Sequence, residues 1–193
     1  MQKTSTEPAR LAEFTTFMRA YKDMVFSTAT RLLGNDAQAE DISQEVFVRA
    51  YAHFDELRGS ATSGGWLKTV ATNLAINHLQ RYRRRWRLFS EMEPAQEDGG
   101  DGGTGLEFPV PDSMPAELDN EQHRALIEDA LRQLPADQRA ALVLYHFEDF
   151  SYQEIAARLR ASLAKVTTDI RRARLALRPL LEARGIGRVS LEH

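Results

Sequence analysis

The chain has no cysteine. Disulfides, thiolate zinc sites and cysteine nucleophiles are therefore excluded, which fits a reducing compartment. It also lacks any apolar run long enough to cross a membrane, so no direct membrane insertion is expected. The opening MQKTSTEPAR has no apolar core of the kind a signal peptide needs. Strand signals are nearly absent. From Leu88 to His123 there is no lysine or arginine. That stretch is acidic and rich in glycine and proline, cannot bury a core, and reads as a flexible linker. The five histidines, His53, His78, His123, His146 and His193, are scattered, so neither a metal site nor a cofactor is expected.

What is present is helical periodicity on both sides of that linker. Leu11, Phe14, Phe17, Met18, Tyr21, Val25, Ala29 and Leu32 recur at helical spacing, and Gly34 with Asn35 should end that helix. A second helix is predicted from about Ala37 to Phe54, with Ile42, Val46, Phe47, Ala50 and Phe54 inward. A polar loop, ELRGSATSGG, follows. A third helix is predicted from near Trp66 through Leu67, Val70, Ala71, Leu74 and Leu79 into the basic run QRYRRRWR. Trp66, early in that amphipathic helix, reads as core. Beyond the linker, helical signals resume near Asp119 and persist to about Ala183, with Pro135 suited to a first helical turn. The expected fold class is all-α: two small helical domains joined by a flexible acidic linker. The boundaries are 8–88, 89–118 and 119–184, followed by a tail 185–193 whose last residues, Leu191 to His193, look like part of a purification tag.

The net charge of -3 does not suit strong binding to random nucleic acid. The charges are segregated, however, and the C-terminal part carries a basic helix. In DFSYQEIAARLRASLAKVTTDIRRARLALR, Ser151 and Glu154 form a capping box that should start a helix, with Ile155, Ala156 and Leu159 inward. A short turn around Arg160 to Ser162 leads to a second helix from Leu163, capped by Ser162 and burying Val166, Ile170, Ala173 and Leu177. Two helices joined by a tight turn, the second basic, make the helix-turn-helix pattern. A plain helical hairpin with a solvated arginine face would look similar. In the first half, DAQAEDISQEVFVRAYAHFDEL places Asp41, Gln44, Glu45 and Val48 on one side of a helix, which alone is an ordinary wet face.

The order of these motifs resembles the extracytoplasmic-function group (group IV) of the sigma-70 family of bacterial RNA polymerase sigma factors. AEDISQEVFVRAY is similar to the polymerase-docking region, WLKTVATNLAINHLQRYRRR to the helix that melts and binds the −10 element, and LRQLPADQRAALVLYHFEDFSYQEIAARL with IRRARLALR to the −35-reading domain. The two domains are then sigma region 2 and the helix-turn-helix region 4. The resemblance implies a non-enzymatic factor that docks on core RNA polymerase, at the β′ clamp coiled coil and the β flap, and directs initiation at promoter DNA. It implies docking by Asp41, Gln44 and Glu45. It implies −10 binding by Arg58, Ser60, Thr62, Ser63, Asn73, Asn77, Arg81, Arg83 and Arg84, with Arg85 available for phosphates. Tyr82 and Trp86 could stack on bases or pack against the first helix. It implies −35 binding by Thr167, Thr168, Arg171 and Arg172, with Lys165 and Arg174 on phosphates.

Relatives often carry a basic residue where Thr167 and Asp169 stand. Asp169 could accept from a cytosine amino group, pair with Arg172 or Arg158, or lie off the groove. The linker, by the same resemblance, threads the polymerase active-centre cleft and RNA exit channel; a solubilising tether is the alternative. The group also implies an anti-sigma factor as partner and a cytoplasmic location, with retention at the membrane through that partner. A stand-alone helix-turn-helix regulator and a helical adaptor that binds only proteins are the rival readings.

Overall fold

The computed structural model describes residues 7–90 and 121–184, with side chains for 7–82 and 124–184. Most of the expected linker and the whole tail lie outside the described residues. Within them every regular element is an α-helix: α1 Glu7–Leu33, α2 Asp36–Ala52, α3 Phe54–Leu57, α4 Ser63–Ser90, α5 Glu121–Arg132, α6 Ala136–His146, α7 Tyr152–Leu159 and α8 Leu163–Glu182.

Helix α1 ends where its sequence stops favouring helix. Gly34 adopts φ 64°, which only glycine takes cheaply, and its N–H bonds to the Thr30 carbonyl at 2.7 Å. Asn35 then caps α2, its side chain accepting from the Gln38 N–H at 3.0 Å. This pair reverses the chain, so α1 and α2 pack antiparallel with α4 against both. Val25, Leu32, Val46, Phe54, Leu67 and Ala71 fill the space between them. An aromatic group caps one end, with Phe14 edge-on to Tyr51 at 5.0 Å and to Phe54 at 5.1 Å.

Three expectations shift here. The second helix ends at Ala52, and Phe54–Leu57 form a separate turn, because that bend buries both Phe54 and Leu57. Helix α4 begins at Ser63 rather than near Trp66. Leu11 is 55% exposed and is not core. Trp66 is half-buried, packed on the core with its ring 5.8 Å from His53.

In the second half, α6 and α8 pack together, with α5 and α7 against them. Ser151 and Glu154 do form the capping box that starts α7. Helix α7 ends in Arg160 at φ 51°, with Ala161 N–H bonding to Ala156 carbonyl at 3.0 Å and Arg160 N–H to Ala157 carbonyl at 3.3 Å. That pair of bonds is the Schellman closure. Ser162 caps α8, which buries Val166, Ile170, Ala173 and Leu177 as expected.

The two halves also pack on each other. Helix α6 lies against α1, and α7 against α4. Arg139 is the centre of the first contact. Only 6% exposed, it donates to the Leu32 carbonyl at 3.3 Å, to Leu33 carbonyl at 2.5 Å and to Leu134 carbonyl at 3.0 Å. The last carbonyls of a helix have no partner within it, and they carry the negative end of its dipole, so a cation suits that spot.

Candidate polymerase and nucleic-acid interfaces

Helix α2 positions the docking candidates. Asp41, Gln44, Glu45 and Val48 are all exposed, while Ile42, Val46, Phe47 and Ala50 turn into the core. The side chains at i, i+3, i+4 and i+7 therefore form one outward stripe. Glu45 accepts from Arg49 one turn on, at 2.9 Å. Val48 is 67% exposed beside these polar groups, so the stripe offers both charge and apolar contact.

The loop before α4 is held by its own hydroxyls. Ser60 and Thr62 Oγ atoms lie 2.9 Å apart at the surface. Ser63 departs from its expected role. It is 1% exposed, and its hydroxyl donates to the Leu57 carbonyl at 2.6 Å and to Ser60 carbonyl at 2.9 Å. It therefore shapes the loop and faces no solvent. Arg58 is exposed and pairs with Glu13 of α1 at 2.5 Å, a contact that raises its pKa. Along α4, Asn73, Asn77 and Arg81 are exposed at a four-residue spacing. They form one exposed stripe beside the buried side that carries Leu67, Ala71, Leu74 and Ala75. The side chains of Arg83, Arg84, Arg85 and Trp86 lie outside the described residues. Tyr82 is exposed.

Asn73 meets the other domain. Its side-chain oxygen accepts from Arg158 of α7 at 3.0 Å. Gln80 donates to Arg158 carbonyl at 2.5 Å. A cleft of about 440 Å³ lies there, lined by Asn73, Asn77, Gln80, Arg158 and Arg160. Further along, Lys68 donates to the Phe147 carbonyl at 2.6 Å and lies 3.5 Å from the Glu148 carboxylate, which also accepts from Thr72 at 3.1 Å. Burial raises the Glu148 pKa, while Lys68, Thr72 and Arg31 pull it down.

On α8, Lys165, Thr167, Arg171 and Arg172 are exposed and Thr168 is half-buried. Arg174 turns toward α6, donating to the His146 ring at 3.3 Å and lying 5.3 Å from the Tyr145 ring centre. Asp169 is 8% exposed and points inward. Its partner is Lys165, at 2.9 Å, rather than Arg172 or Arg158. The same Lys165 ammonium lies 3.1 Å from Asp137 at the start of α6. Burial lowers its pKa, and the two carboxylates outweigh that and raise it.

Family models match both halves: "Sigma-70 region 2" over residues 17–85 and "Sigma-70, region 4" over residues 124–177. The chain is also 31% identical to the ECF RNA polymerase sigma factor SigW of Bacillus subtilis, across 87% of this chain and 88% of that one. The chain belongs to the ECF sigma factors. A second relative, the ECF RNA polymerase sigma factor SigE of Mycolicibacterium smegmatis, is 34% identical over 91% of this sigma factor, and the match spans 64% of that relative's length. A solved structure, the sigma factor RpoE with the anti-sigma factor NepR from Bartonella quintana, is similar at 23% identity with a TM-score of 0.43, covering 88% of this chain and 96% of that one.

Several residues of this sigma factor that matter to the geometry escaped the sequence reading: Arg139, Lys68, Thr72 and Glu148. For Arg139 a signal exists. It stands among Ala140, Ala141, Leu142, Val143 and Leu144, every one of them buried, so a charge there needs a buried acceptor. Lys68 and Glu148 carry no local signal, because their partner lies in the other domain. No helix among the described residues is long and apolar enough to cross a membrane. Nor do the described residues hold a group of side chains suited to a metal ion.

Proposed function

We propose that this sigma factor docks on core RNA polymerase, reads −10 and −35 promoter elements, and stabilises melted DNA, with no covalent step of its own. The observation that carries the reading is the exposed stripe Asn73, Asn77 and Arg81 on α4, set in the same chain as an exposed basic α8 of a helix-turn-helix. Amides suit the polar edges of bases captured from one strand, and a captured base costs a few kcal/mol of unstacking that such contacts offset. The basic run that follows suits phosphates where duplex meets bubble. On α8, Arg171 and Arg172 with Thr167 and Thr168 form the groove-facing set. Lys165, tied to two carboxylates, and Arg174, turned to α6, contribute less to phosphate binding than their sequence suggests. Ser63 acts through the loop, leaving Ser60, Thr62 and Arg58 as its outward groups.

The α2 stripe supports docking on the polymerase β′ clamp coiled coil, and the second domain docking on the β flap. Acid and amide groups beside an exposed valine suit a partner surface that is basic at its rim and apolar at its centre. An anti-sigma factor covering these surfaces is the regulator that membership of this group implies, and the cytoplasm is the place of action.

Transcription in vitro on a genomic fragment library, with and without core polymerase, tests the reading. The chain should give promoter-specific transcripts only when core is present. Absence of any core-dependent transcript would sink it. The double variant Asp41→Lys, Glu45→Lys should lose core binding while its helical circular dichroism stays unchanged. Unchanged binding would move the docking surface elsewhere.

A further inference from the structure

We propose that the cleft between α4 and the turn of the helix-turn-helix is a binding site for a small phosphorylated nucleotide, its phosphates held by Arg158 and Arg160.

Charge makes the first argument. The chain as a whole carries a net charge of -3. The cleft wall inverts that sign: two arginines line it and no carboxylate does. Cations with no acid to neutralise them, set in a concave space, concentrate anions there. Guanidinium forks also match the paired oxygens of a phosphate.

The two arginines are held in different ways. Arg158 is half-buried and fixed from two sides. Its guanidinium lies over the Phe150 ring at 4.0 Å and donates to the Asn73 side-chain oxygen at 3.0 Å. Gln80 fixes the backbone of the same residue by donating to its carbonyl. A cation so placed loses little freedom when an anion arrives. Arg160 is the opposite case. It is exposed, and among the described residues its guanidinium has no partner. Yet its backbone stands at φ 51°, where glycine would sit without steric cost. Strain kept at a residue whose side chain makes no internal contact points to a task for that side chain, and the cleft is where it stands.

The rest of the lining fits a base. The volume of about 440 Å³ lies in the range of clefts that hold small ligands. Ile76 and Ala157 supply apolar surface for a flat ring. Asn73 keeps its amide N–H groups after its oxygen has accepted from Arg158, and the exposed Asn77 offers both donor and acceptor. Amides of this kind meet the polar edge of a base. A nucleotide uses the cations, the apolar floor and the amides together, whereas inorganic phosphate uses the cations alone.

The site asks for neither polymerase nor DNA, so the free full-length chain tests it. Isothermal titration with adenosine or guanosine 5′-triphosphate at physiological salt should show saturable binding of at least one of them, with a Kd below about 1 mM. Arg160→Gly should weaken that binding about tenfold while Tm stays level or rises, so that the loss is not unfolding. Arg19→Ala removes an equal charge from the exposed surface of α1, outside the cleft, and should leave the binding unchanged. Inorganic pyrophosphate should bind about tenfold more weakly than the nucleotide. No saturable binding of either nucleotide overturns the proposal. An equal loss in Arg19→Ala, or pyrophosphate held as tightly as the nucleotide, overturns it as well, because diffuse charge or phosphate alone would then account for the binding. If the nucleotides fail and Arg160→Gly instead weakens binding of promoter DNA, the arginine serves the DNA backbone and the cleft holds no nucleotide.

Discussion

At the scale of single residues, Asp169 shows how much a side chain's direction decides. An aspartate on an arginine-rich helix could read a base, pair with a neighbour or stand aside. Its burial and its bond to Lys165 put it on the inner side of α8, where one ammonium ties α8 to Asp137 of α6. Asp169→Asn should therefore lower stability and leave promoter preference alone. Loss of a half-exposed, charge-assisted bond is worth about 1 kcal/mol, or about 2–4 °C in Tm for a chain of this length. Thermal denaturation and a −35 binding-site selection measure the two effects. A changed preference at a single −35 position would make Asp169 a reader after all. Arg139 makes the same point from the other side: its guanidinium is buried against the Leu32 and Leu33 carbonyls of the other domain as well as the Leu134 carbonyl of its own.

At the scale of elements, local chemistry dictates much of the architecture. Gly34 and Asn35 stop one helix and start the next, and the Ser151–Glu154 box and Ser162 start α7 and α8 where the sequence says they should. The capping contacts hold the Glu154 carboxyl below its ordinary pKa, the Ser151 hydroxyl first among them and its backbone N–H second. The turn between α7 and α8 is less well matched. Arg160 sits in the left-handed region, which disfavours any residue with a Cβ by about 1 kcal/mol. Arg160→Gly should raise Tm by about 1–4 °C, the upper end being reduced because glycine also loosens the unfolded chain. A lower Tm would mean that the arginine side chain holds the closed domains more firmly than its exposed position suggests. The bend at Phe54 and the early start of α4 were not legible. Both are set by burial of Phe54, Leu57 and the Ser63 hydroxyl against helices distant in sequence, and helical periodicity carries no record of that.

At the scale of the whole molecule, the junction between domains should respond to pH. Burial raises the Glu148 pKa in the closed form, with Lys68 and Thr72 of α4 and Arg31 of α1 opposing it. A raised acid favours the closed form while protonated. Closure is thus strongest below the ordinary carboxylate range, about pH 4, and weakens as pH rises through the raised value. Energy transfer between dyes on the two domains should fall as pH rises from the ordinary carboxylate range, and Glu148→Gln should flatten that fall. An equally steep fall in the Gln variant would assign the effect to another group.

The sequence by itself determined that the chain is all-helical, where most helices begin and end, that it carries a helix-turn-helix, and which family it belongs to. Those properties are local: they depend on caps, on apolar spacing and on the order of short motifs, and each can be read within a few turns of helix. Only the tertiary structure decided which of the polar residues face out. It turned Ser63 and Asp169 inward, drew Lys165 and Arg174 to partners on their own domain, and set Arg158 on Asn73. Those outcomes depend on groups tens of residues apart meeting across packed helices. Whether a charge is solvated, paired or buried is a property of the space around it, and the chain order alone does not fix that space.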